Sequence, residues 1–351
     1  MTKSRTYIAT PPGATISELL KDRHMTQKEL ADRIGYSEKH ISQLLNGEVP
    51  LTQQTAEKLE LVLDVPAVFW VNLEAIYRDK LSKAEAENQM DEERKIVSIF
   101  PYKEANKLGW LPEAKSQPEK VTNLRKFFEV TDLRYLEKST VTKIACRKLS
   151  VTQKSDTSLL VWSQQAKRIA RDIEVSKISI SRLQKQISKI RELCTLPPDE
   201  FVPQLKEILS KHGVALVLIP HLSGSGLHGA TFKDGNKIVL GATLRGKDAD
   251  KFWFSLFHEL GHICLKHIDR ADTLTEDDEK AADEFARNAL IPQDLFEQFI
   301  SEQNFSEASV RKFANEHNLL PGIVVGRLQN DKIIKFNQLN HLKTQYVFKS
   351  A

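Results

Sequence analysis

Residues 252–262 read Phe-Trp-Phe-Ser-Leu-Phe-His-Glu-Leu-Gly-His, an apolar run that closes on the pattern H-E-x-x-H. The run is typical of a buried helix. Because positions i and i+4 of a helix lie on one face, His258 and His262 can present two imidazoles to one metal ion. Glu259 lies one position round, where it can polarise a water molecule bound to the ion rather than bind the ion. The stretch therefore predicts a helix bearing two ligands and the general base of a metal centre.

A second stretch, Glu279-Lys280-Ala281-Ala282-Asp283, supports the metal prediction. Glu279 and Asp283 are again i and i+4, so they share a face. Glu279 suits a third metal ligand, and Asp283 can accept the second ring N–H of a ligating histidine. Three protein ligands leave one position open for water, which a catalytic zinc needs. The sequence thus predicts one Zn²⁺ per chain, although the run 276–279 also allows a plain acidic helix.

His267 is the alternative third ligand. The extended pattern H-E-x-x-H-x-x-G-x-x-H requires a glycine and then a histidine, but Leu265 and Ile268 occupy those positions. A slip of one residue rotates a helical side chain by about 100°. We therefore expect His267 to be a residue of the helix C-terminus, favoured there by the helix dipole, and Cys264 to be a small buried apolar side chain.

The amino-terminal part predicts a different module. Thr26-Gln27-Lys28-Glu29 is typical of a capping box, Gly35 interrupts the helix that follows, and a second helix runs from Ser37 to Leu45. Two short helices joined by a glycine-containing turn predict a helix-turn-helix, whose second helix enters the DNA major groove. The residues predicted to contact DNA are Gln27, Ser37, Glu38, Lys39, His40 and Gln43. A helical hairpin of this size can also serve as a protein-interaction module.

The charge distribution bears on both modules. Residues 1–78 contain nine Lys and Arg against ten Asp and Glu, so DNA binding there must depend on local placement of charge. Residues 138–191 contain thirteen Lys and Arg against three Asp and Glu. This basic segment is either an amphipathic helix packed on the next domain, with a solvated basic face, or a surface for nucleic acid or an acidic partner.

Composition limits the class of protein. A chain of 351 residues predicts two or three domains, and 40% hydrophobic with 28% charged residues indicates a folded, soluble protein. No signal peptide or membrane span is expected, because no apolar run approaches about 20 residues. The three cysteines, Cys146, Cys194 and Cys264, are scattered and odd in number, which argues against a disulfide framework. The sequence predicts a cytoplasmic protein.

Residues 200–330 resemble the ImmA/IrrE family of metallopeptidases. The resemblance rests on two strand-like runs, a glycine-rich stretch, both metal-site motifs and two later segments: Val214–Pro220, Gly224–Gly229, Lys237–Leu240, His258–His262, Glu279–Ala286, Leu290–Pro292 and Pro321–Leu328. It implies a small α+β zinc peptidase whose relatives cut helix-turn-helix repressors. Ala281 replaces a residue that is often acidic in that family, so the third-ligand assignment depends on Glu279 alone.

The amino terminus resembles Cro/CI-type (XRE) regulators, and more narrowly the HigA-like antitoxins. Pro11-Pro12-Gly13, Asn46-Gly47, Leu51-Thr52 and the run 69–74 fit that narrower group. Together the resemblances imply a mainly α protein with a small β-sheet (α+β). Its expected parts are a lambda-repressor-like helical bundle at 1–78, a helical connector at 79–198 and a zincin-like peptidase domain at 199–351.

Three functions follow as hypotheses. The first is a regulator bound to double-stranded operator DNA as a homodimer, whose zinc endopeptidase cuts itself or a partner repressor to end repression. The second is a HigA-like antitoxin that binds its operator and a toxin protein, with a silent or regulatory peptidase domain. The third is a non-enzymatic sensor, against which Glu259 argues because ligand binding alone would not need it. No membrane partner is expected.

Overall fold

The computed structural model describes residues 2–138, 153–223, 225, 226, 228–244, 247–269 and 274–347. The fold is mainly helical with small sheets, as predicted for an α+β protein. The chain divides into two compact units, Met1–Ile96 and Val97–Ala351. The predicted boundary after residue 78 falls inside one long helix. The predicted connector 79–198 is therefore divided: its residues up to 96 belong to the first unit and those from 97 onward to the second.

The first unit combines a two-stranded antiparallel sheet with a helical bundle. Its elements are β1 Thr2–Lys3, β2 Ile8–Ala9, α1 Pro12–Asp22, α2 Gln27–Ile34, α3 Glu38–Asn46, α4 Gln53–Leu63 and α5 Ala67–Val97. Helices were predicted at 15–23, 37–45 and 52–63, and the structure confirms them. Leu30, Ile41, Leu59 and Trp70 are fully buried in the core of this bundle.

The turn between α2 and α3 is built by local capping. Thr26 Oγ1 accepts a hydrogen bond from Glu29 N at 3.1 Å, which is one half of the predicted capping box, while the Glu29 carboxylate pairs with Arg33. Ser37 caps α3 in the same way, accepting from His40 N at 3.2 Å. Gly35 ends α2 with φ +69°, a left-handed conformation that glycine adopts without strain.

The second unit contains a three-stranded sheet surrounded by helices. Its elements are α6 Tyr102–Lys107, α7 Gln117–Phe128, α8 Gln153–Arg171, α9 Ile180–Gln184, α10 Ile187–Glu192, α11 Pro198–Ser210, β3 Val214–Leu218, β4 Gly229–Asp234, β5 Lys237–Ala242, α12 Ala249–Cys264, α13 Glu276–Leu290, α14 Gln293–Ser301, α15 Glu307–Glu316 and α16 Pro321–Asn330. Short 3-10 turns cover 133–138, 193–195, 267–269 and 340–342.

The sheet has the order β3-β5-β4, so β4 is an edge strand. The central strand β5 pairs in parallel with β3 and antiparallel with β4. The sequence predicted β3 and β5 but missed β4. The signal for it was the hairpin at Asp234-Gly235-Asn236-Lys237, in which Asp234 and Lys237 are paired and Gly235 has φ +59°.

Helix α8 packs against β3 and β5. Trp162 is fully buried, and its indole Nε1 donates to the carbonyl of Pro220 at 3.1 Å. One of the two interpretations of the basic segment was an amphipathic helix packed on the next domain, and α8 is such a helix for its own residues. The sequence also shows a long helical pattern from Trp162 to Cys194, but α8 ends at Arg171 and α9 begins at Ile180. Residues 139–152 of the segment, with Cys146, lie outside the described residues, as do Gly224 and Leu227.

The carboxyl-terminal helices α15 and α16 confirm the predictions at 306–317 and 322–328. The sequence also suggests a strand at 331–336, and this prediction is wrong: the chain turns there, and Lys332 N donates to Gln329 O at 3.1 Å. Among the described residues, no helix is both long enough and apolar enough to span a membrane.

Candidate metal centre

Two helices, α12 and α13, carry every residue predicted for the metal site. They pack together over an extensive contact, which small side chains make possible. A Cβ on Gly261 would lie 3.2 Å from Ala282, so the two helices meet at a point where neither has a bulky residue. Ala282 lies between Glu279 and Asp283 in sequence, and its contact with α12 brings both carboxylates to the histidine face.

The three predicted ligands meet at one point. The Nε2 atoms of His258 and His262 lie 3.1 Å apart. Glu279 approaches both rings, with Oε2 at 3.3 Å from His258 Nε2 and Oε1 at 3.6 Å from His262 Nε2. Two donors at the usual zinc distances of about 2.0–2.1 Å are about 3.3 Å apart in a tetrahedral site. The donor types and their separations therefore fit a zinc ion.

The outer nitrogen of each histidine also has a partner. Asp283 Oδ1 lies 2.8 Å from His258 Nδ1, the contact that the spacing of Glu279 and Asp283 predicted. His262 Nδ1 lies 3.0 Å from a ring nitrogen of His267. Such partners fix which ring nitrogen is protonated and how the ring is oriented. Both imidazoles are thus held with Nε2 directed to the shared point.

His267 has a role that the sequence did not suggest. It was expected only as a residue favoured by the helix dipole, and the structure places it after α12 with 5% of its residue surface exposed. Its Nε2 faces Asp278 Oδ1 at 3.4 Å, while Asp278 Oδ2 is held by the Thr275 cap of α13. Sequence spacing could not reveal these contacts, because residues five positions apart do not share a face of a continuous helix. His262 and His267 meet only because the chain turns after α12.

Glu259 lies beside the two histidines and is held by the edge strand. It is 2% exposed, and its Oε2 accepts a hydrogen bond from Thr231 Oγ1 at 2.8 Å. Gly229 leaves room for it, since a Cβ there would lie 2.8 Å from Glu259 Cγ. Thr231 was not singled out from the sequence, and Gly229 was noted only as the end of a glycine-rich stretch. A cleft of about 1010 Å³ opens on His258 and Glu259, which gives this pair access to a ligand.

Comparison with protein families agrees with this geometry. Residues 210–329 match the model of the IrrE N-terminal-like domain, Peptidase_M78, and residues 16–70 match the helix-turn-helix model HTH_3. The chain joins an XRE-type helix-turn-helix domain to an ImmA/IrrE-like peptidase domain. No curated protein matches it. The peptidase match spans the sheet, α12, α13 and α16, and therefore all the candidate ligands.

The two cysteines that the structure describes, Cys194 and Cys264, are not suited to metal binding. Burial raises the pKa of the Cys264 thiol to about 12 and holds the pKa of the Cys194 thiol further above its ordinary value. A thiol must lose its proton to bind zinc, so these groups remain neutral and apolar near pH 7. The expectation that Cys264 is a small buried side chain is confirmed, because 3% of its surface is exposed.

The helix-turn-helix domain presents its predicted contacts on the outer face of α3. Glu38 and Lys39 are exposed, whereas His40 and Gln43 are half-buried. The His40 ring packs edge-on against Tyr36, with centroids 4.6 Å apart. Gln27 is exposed at the start of α2, and the hydroxyl of Ser37 is engaged in its cap. The assignment of these side chains to DNA stays a prediction.

Proposed function

We propose that this protein is a transcriptional regulator whose helix-turn-helix domain binds operator DNA. Its peptidase domain is a zinc-dependent endopeptidase that ends repression by cutting this chain or a partner repressor. The observation that carries the enzymatic half is the convergence of three donors at zinc-compatible separations, His258 Nε2, His262 Nε2 and Glu279. Glu259 lies beside them and lines the cleft, and a carboxylate in that place distinguishes a hydrolytic zinc site from a structural one.

Each side chain has a role in peptide hydrolysis. A zinc ion held by His258, His262 and Glu279 would supply Lewis-acid activation of a water molecule and of the scissile carbonyl. Glu259 takes a proton from the attacking water on its carboxylate and returns it to the leaving amine. Thr231 holds one oxygen of that carboxylate, while Asp283 and His267 keep the two ligand imidazoles in their tautomers.

The metal assignment is tested by elemental analysis. Wild-type protein should contain one zinc per chain, and the His258→Ala/His262→Ala double variant should contain none. His212→Ala/His341→Ala is the matched control, because it removes two histidines outside the site. Stoichiometric zinc in the His258→Ala/His262→Ala protein would contradict the assignment of these histidines as zinc ligands.

The general base is tested separately from the metal. Glu259→Gln should retain zinc and fold but lose proteolysis by about 10²–10⁴-fold, the usual contribution of general acid–base catalysis. Glu284→Gln is the control, since it makes the same change on an exposed position of α13. A normal cleavage rate in the Glu259→Gln protein would contradict the mechanism.

The structure narrows where the chain could cut itself. From the sequence, residues 79–135 are a polar connector, part helical and part irregular, whose irregular parts suit entry into a cleft in extended form. In the structure α5, α6 and α7 cover most of it. The stretches without regular structure are 98–101, 108–116 and 129–132. Self-cleavage should therefore fall in one of these. Incubating wild-type and Glu259→Gln protein with zinc, DNA and helix-turn-helix partners, and mapping fragments by mass spectrometry, tests both kinds of substrate.

DNA binding is proposed to place α3 in the major groove, with two copies of the chain on half-sites about 10–10.5 bp apart. Four large apolar side chains of α4 and α5 support a homodimer because they are exposed: Leu61, Val68, Phe69 and Ile76. Lys39→Ala/His40→Ala/Gln43→Ala should abolish operator binding, whereas Gln53→Ala/Glu57→Ala on α4 should not. If the triple variant binds the operator with unchanged affinity, the DNA contacts are made by other residues.

The antitoxin function is the second candidate. It makes the same DNA prediction but requires no cleavage. If zinc-loaded protein cuts neither itself nor any partner under any condition, the antitoxin with a silent or regulatory peptidase domain becomes the better proposal.

A further inference from the structure

The cleft that opens on His258 and Glu259 is also lined by a group of charged side chains outside the proposed metal centre. They come from α12, α13, α16 and the segment that follows α16. The group, called here the cationic end of the cleft, consists of Asp248, Asp250, Lys251, Arg287, Arg327 and Lys343.

Two of its four cations are neutralised by their own partners. Lys251 Nζ lies 2.7 Å from Asp248 Oδ2, and Lys343 Nζ lies 2.8 Å from Asp250 Oδ2. These two pairs leave Arg287 and Arg327 to be balanced by other groups.

The two arginines share one carboxylate. Arg327 Nε donates to Asp331 Oδ2 at 2.7 Å, and Arg287 Nη2 lies 3.5 Å from Asp331 Oδ1. Counted with Asp331 alone, the two guanidinium groups keep one positive charge that is not neutralised; Asp283, which lines the same cleft, is engaged with His258. This positive charge lies on the wall of the cleft.

Arg327 is held rigidly and has hydrogen-bonding capacity to spare. Its side chain is 8% exposed, its guanidinium lies over the Phe296 ring at 4.6 Å, and Nη2 donates to Gln293 Oε1. Within the described part of the chain, its buried Nη1 has no hydrogen-bond partner, and neither has Arg287 Nε. These two nitrogens are enclosed, so a ligand in the cleft meets the pair through the exposed part of Arg287, whose side chain is 35% exposed. A carboxylate is the acceptor that guanidinium groups match best.

The position of this cluster relative to the metal centre suits a peptide. Arg287 follows Glu279 by eight positions on α13, which at 1.5 Å per residue is about 12 Å. An extended peptide advances about 3.3 Å per residue. A substrate anchored at the metal centre therefore reaches the arginines with its third or fourth residue from the scissile bond.

We propose that Arg287 and Arg327 form a subsite that binds a carboxylate of the peptide substrate, three or four residues from the bond that is cut. This inference rests on the proposed peptidase function and adds a substrate class, peptides with a negative charge at that distance. The carboxylate belongs either to a Glu or Asp side chain or to the end of the substrate chain.

The test measures binding of short peptide hydroxamates to full-length, zinc-loaded Glu259→Gln protein by calorimetry. The hydroxamate group, which binds the metal, is placed at the amino end of the peptide in one series and at the carboxyl end in another. In each series the third or fourth residue from the hydroxamate is Glu, Gln or Lys. Further compounds end at that position in a free acid or an amide. We expect a carboxylate in one of these places to tighten binding about tenfold or more over its amide, because hydrogen bonds to charged groups are strong.

Variants assign the effect to the arginines. Arg287→Gln and Arg327→Gln should abolish the preference, and Arg287→Glu should reverse it in favour of Lys. Arg311→Gln is the matched control, since Arg311 is exposed and paired with Glu307 on α15. Arg287 is about one-third exposed, so its variants remain informative if loss of the buried Arg327 unfolds the protein.

The outcomes separate the two proposals. A preference for the Glu side chain or for the free chain end supports the subsite and identifies the source of the carboxylate. Tight binding of every hydroxamate without any preference overturns the subsite and leaves the metal centre standing. If no hydroxamate binds at all, both the subsite and the proposed peptidase are overturned.

Discussion

Removal of the Asp283 carboxylate is the sharpest test of how the chain holds its metal. Asp283 is not a ligand, yet its Oδ1 lies 2.8 Å from His258 Nδ1, so it fixes the ring that presents Nε2 to the metal. Loss of such an outer partner typically weakens metal affinity 10–100-fold. Asp283 is 48% exposed and His258 14% exposed. Because water can replace part of the interaction, we expect the lower half of that range.

The two possible substitutions should differ in size. Asp283→Asn keeps an oxygen that can accept the Nδ1–H but removes its charge, so zinc affinity should fall about threefold to tenfold. Asp283→Ala removes both the charge and the acceptor and should lower affinity about tenfold to thirtyfold. Competition with a chromophoric chelator measures both dissociation constants, and Asp277→Ala is the control because its side chain is 92% exposed. Zinc affinity of Asp283→Ala equal to that of the wild type would refute the reasoning.

Three further predictions concern other parts of the molecule. Thr231→Val should retain zinc but slow proteolysis about tenfold or more, because it removes the hydrogen bond that orients Glu259, and a Thr231→Ser protein should keep most activity. Trp162→Ala should destabilise the second unit by about 3–5 kcal/mol in urea unfolding, since the indole is fully buried between α8 and the sheet, whereas Lys177→Ala should have little effect. Hydrogen bonds from Ser4 and Thr6 lower the pKa of Glu87 from 4.5 to about 2, so its stabilisation of the amino-terminal strands is complete above pH 4.5 and is lost as pH falls towards 2. The Glu87→Gln variant should lack that dependence when acid unfolding of the first unit is followed by tryptophan fluorescence, and an unchanged acid profile would contradict the assignment.

Local spacing was sufficient to predict much of the metal centre. His258 and His262 share one helical face with Glu259 one position round from it, and Glu279 with Asp283 repeats the i, i+4 spacing on the next helix. Helical geometry alone settles which of these side chains point the same way. The same holds for the helix-turn-helix, because Thr26, Gly35 and Ser37 determine the ends of α2 and α3 through contacts with near neighbours.

Contacts between segments that are distant in sequence could not be predicted from local spacing. Thr231 touches Glu259 only because β4 packs against α12, and Asp278 reaches His267 only because α13 folds back on α12. The arginines of the cleft likewise depend on their surroundings rather than on their own sequence. Periodicity reports which face of a helix is apolar, but the partner of that face is chosen by packing, which sums many weak contacts across the whole chain. The sequence by itself therefore determined the metal-binding face of α12 and the turn before α3, while tertiary packing decided what supports Glu259 and His262 and what lines the cleft.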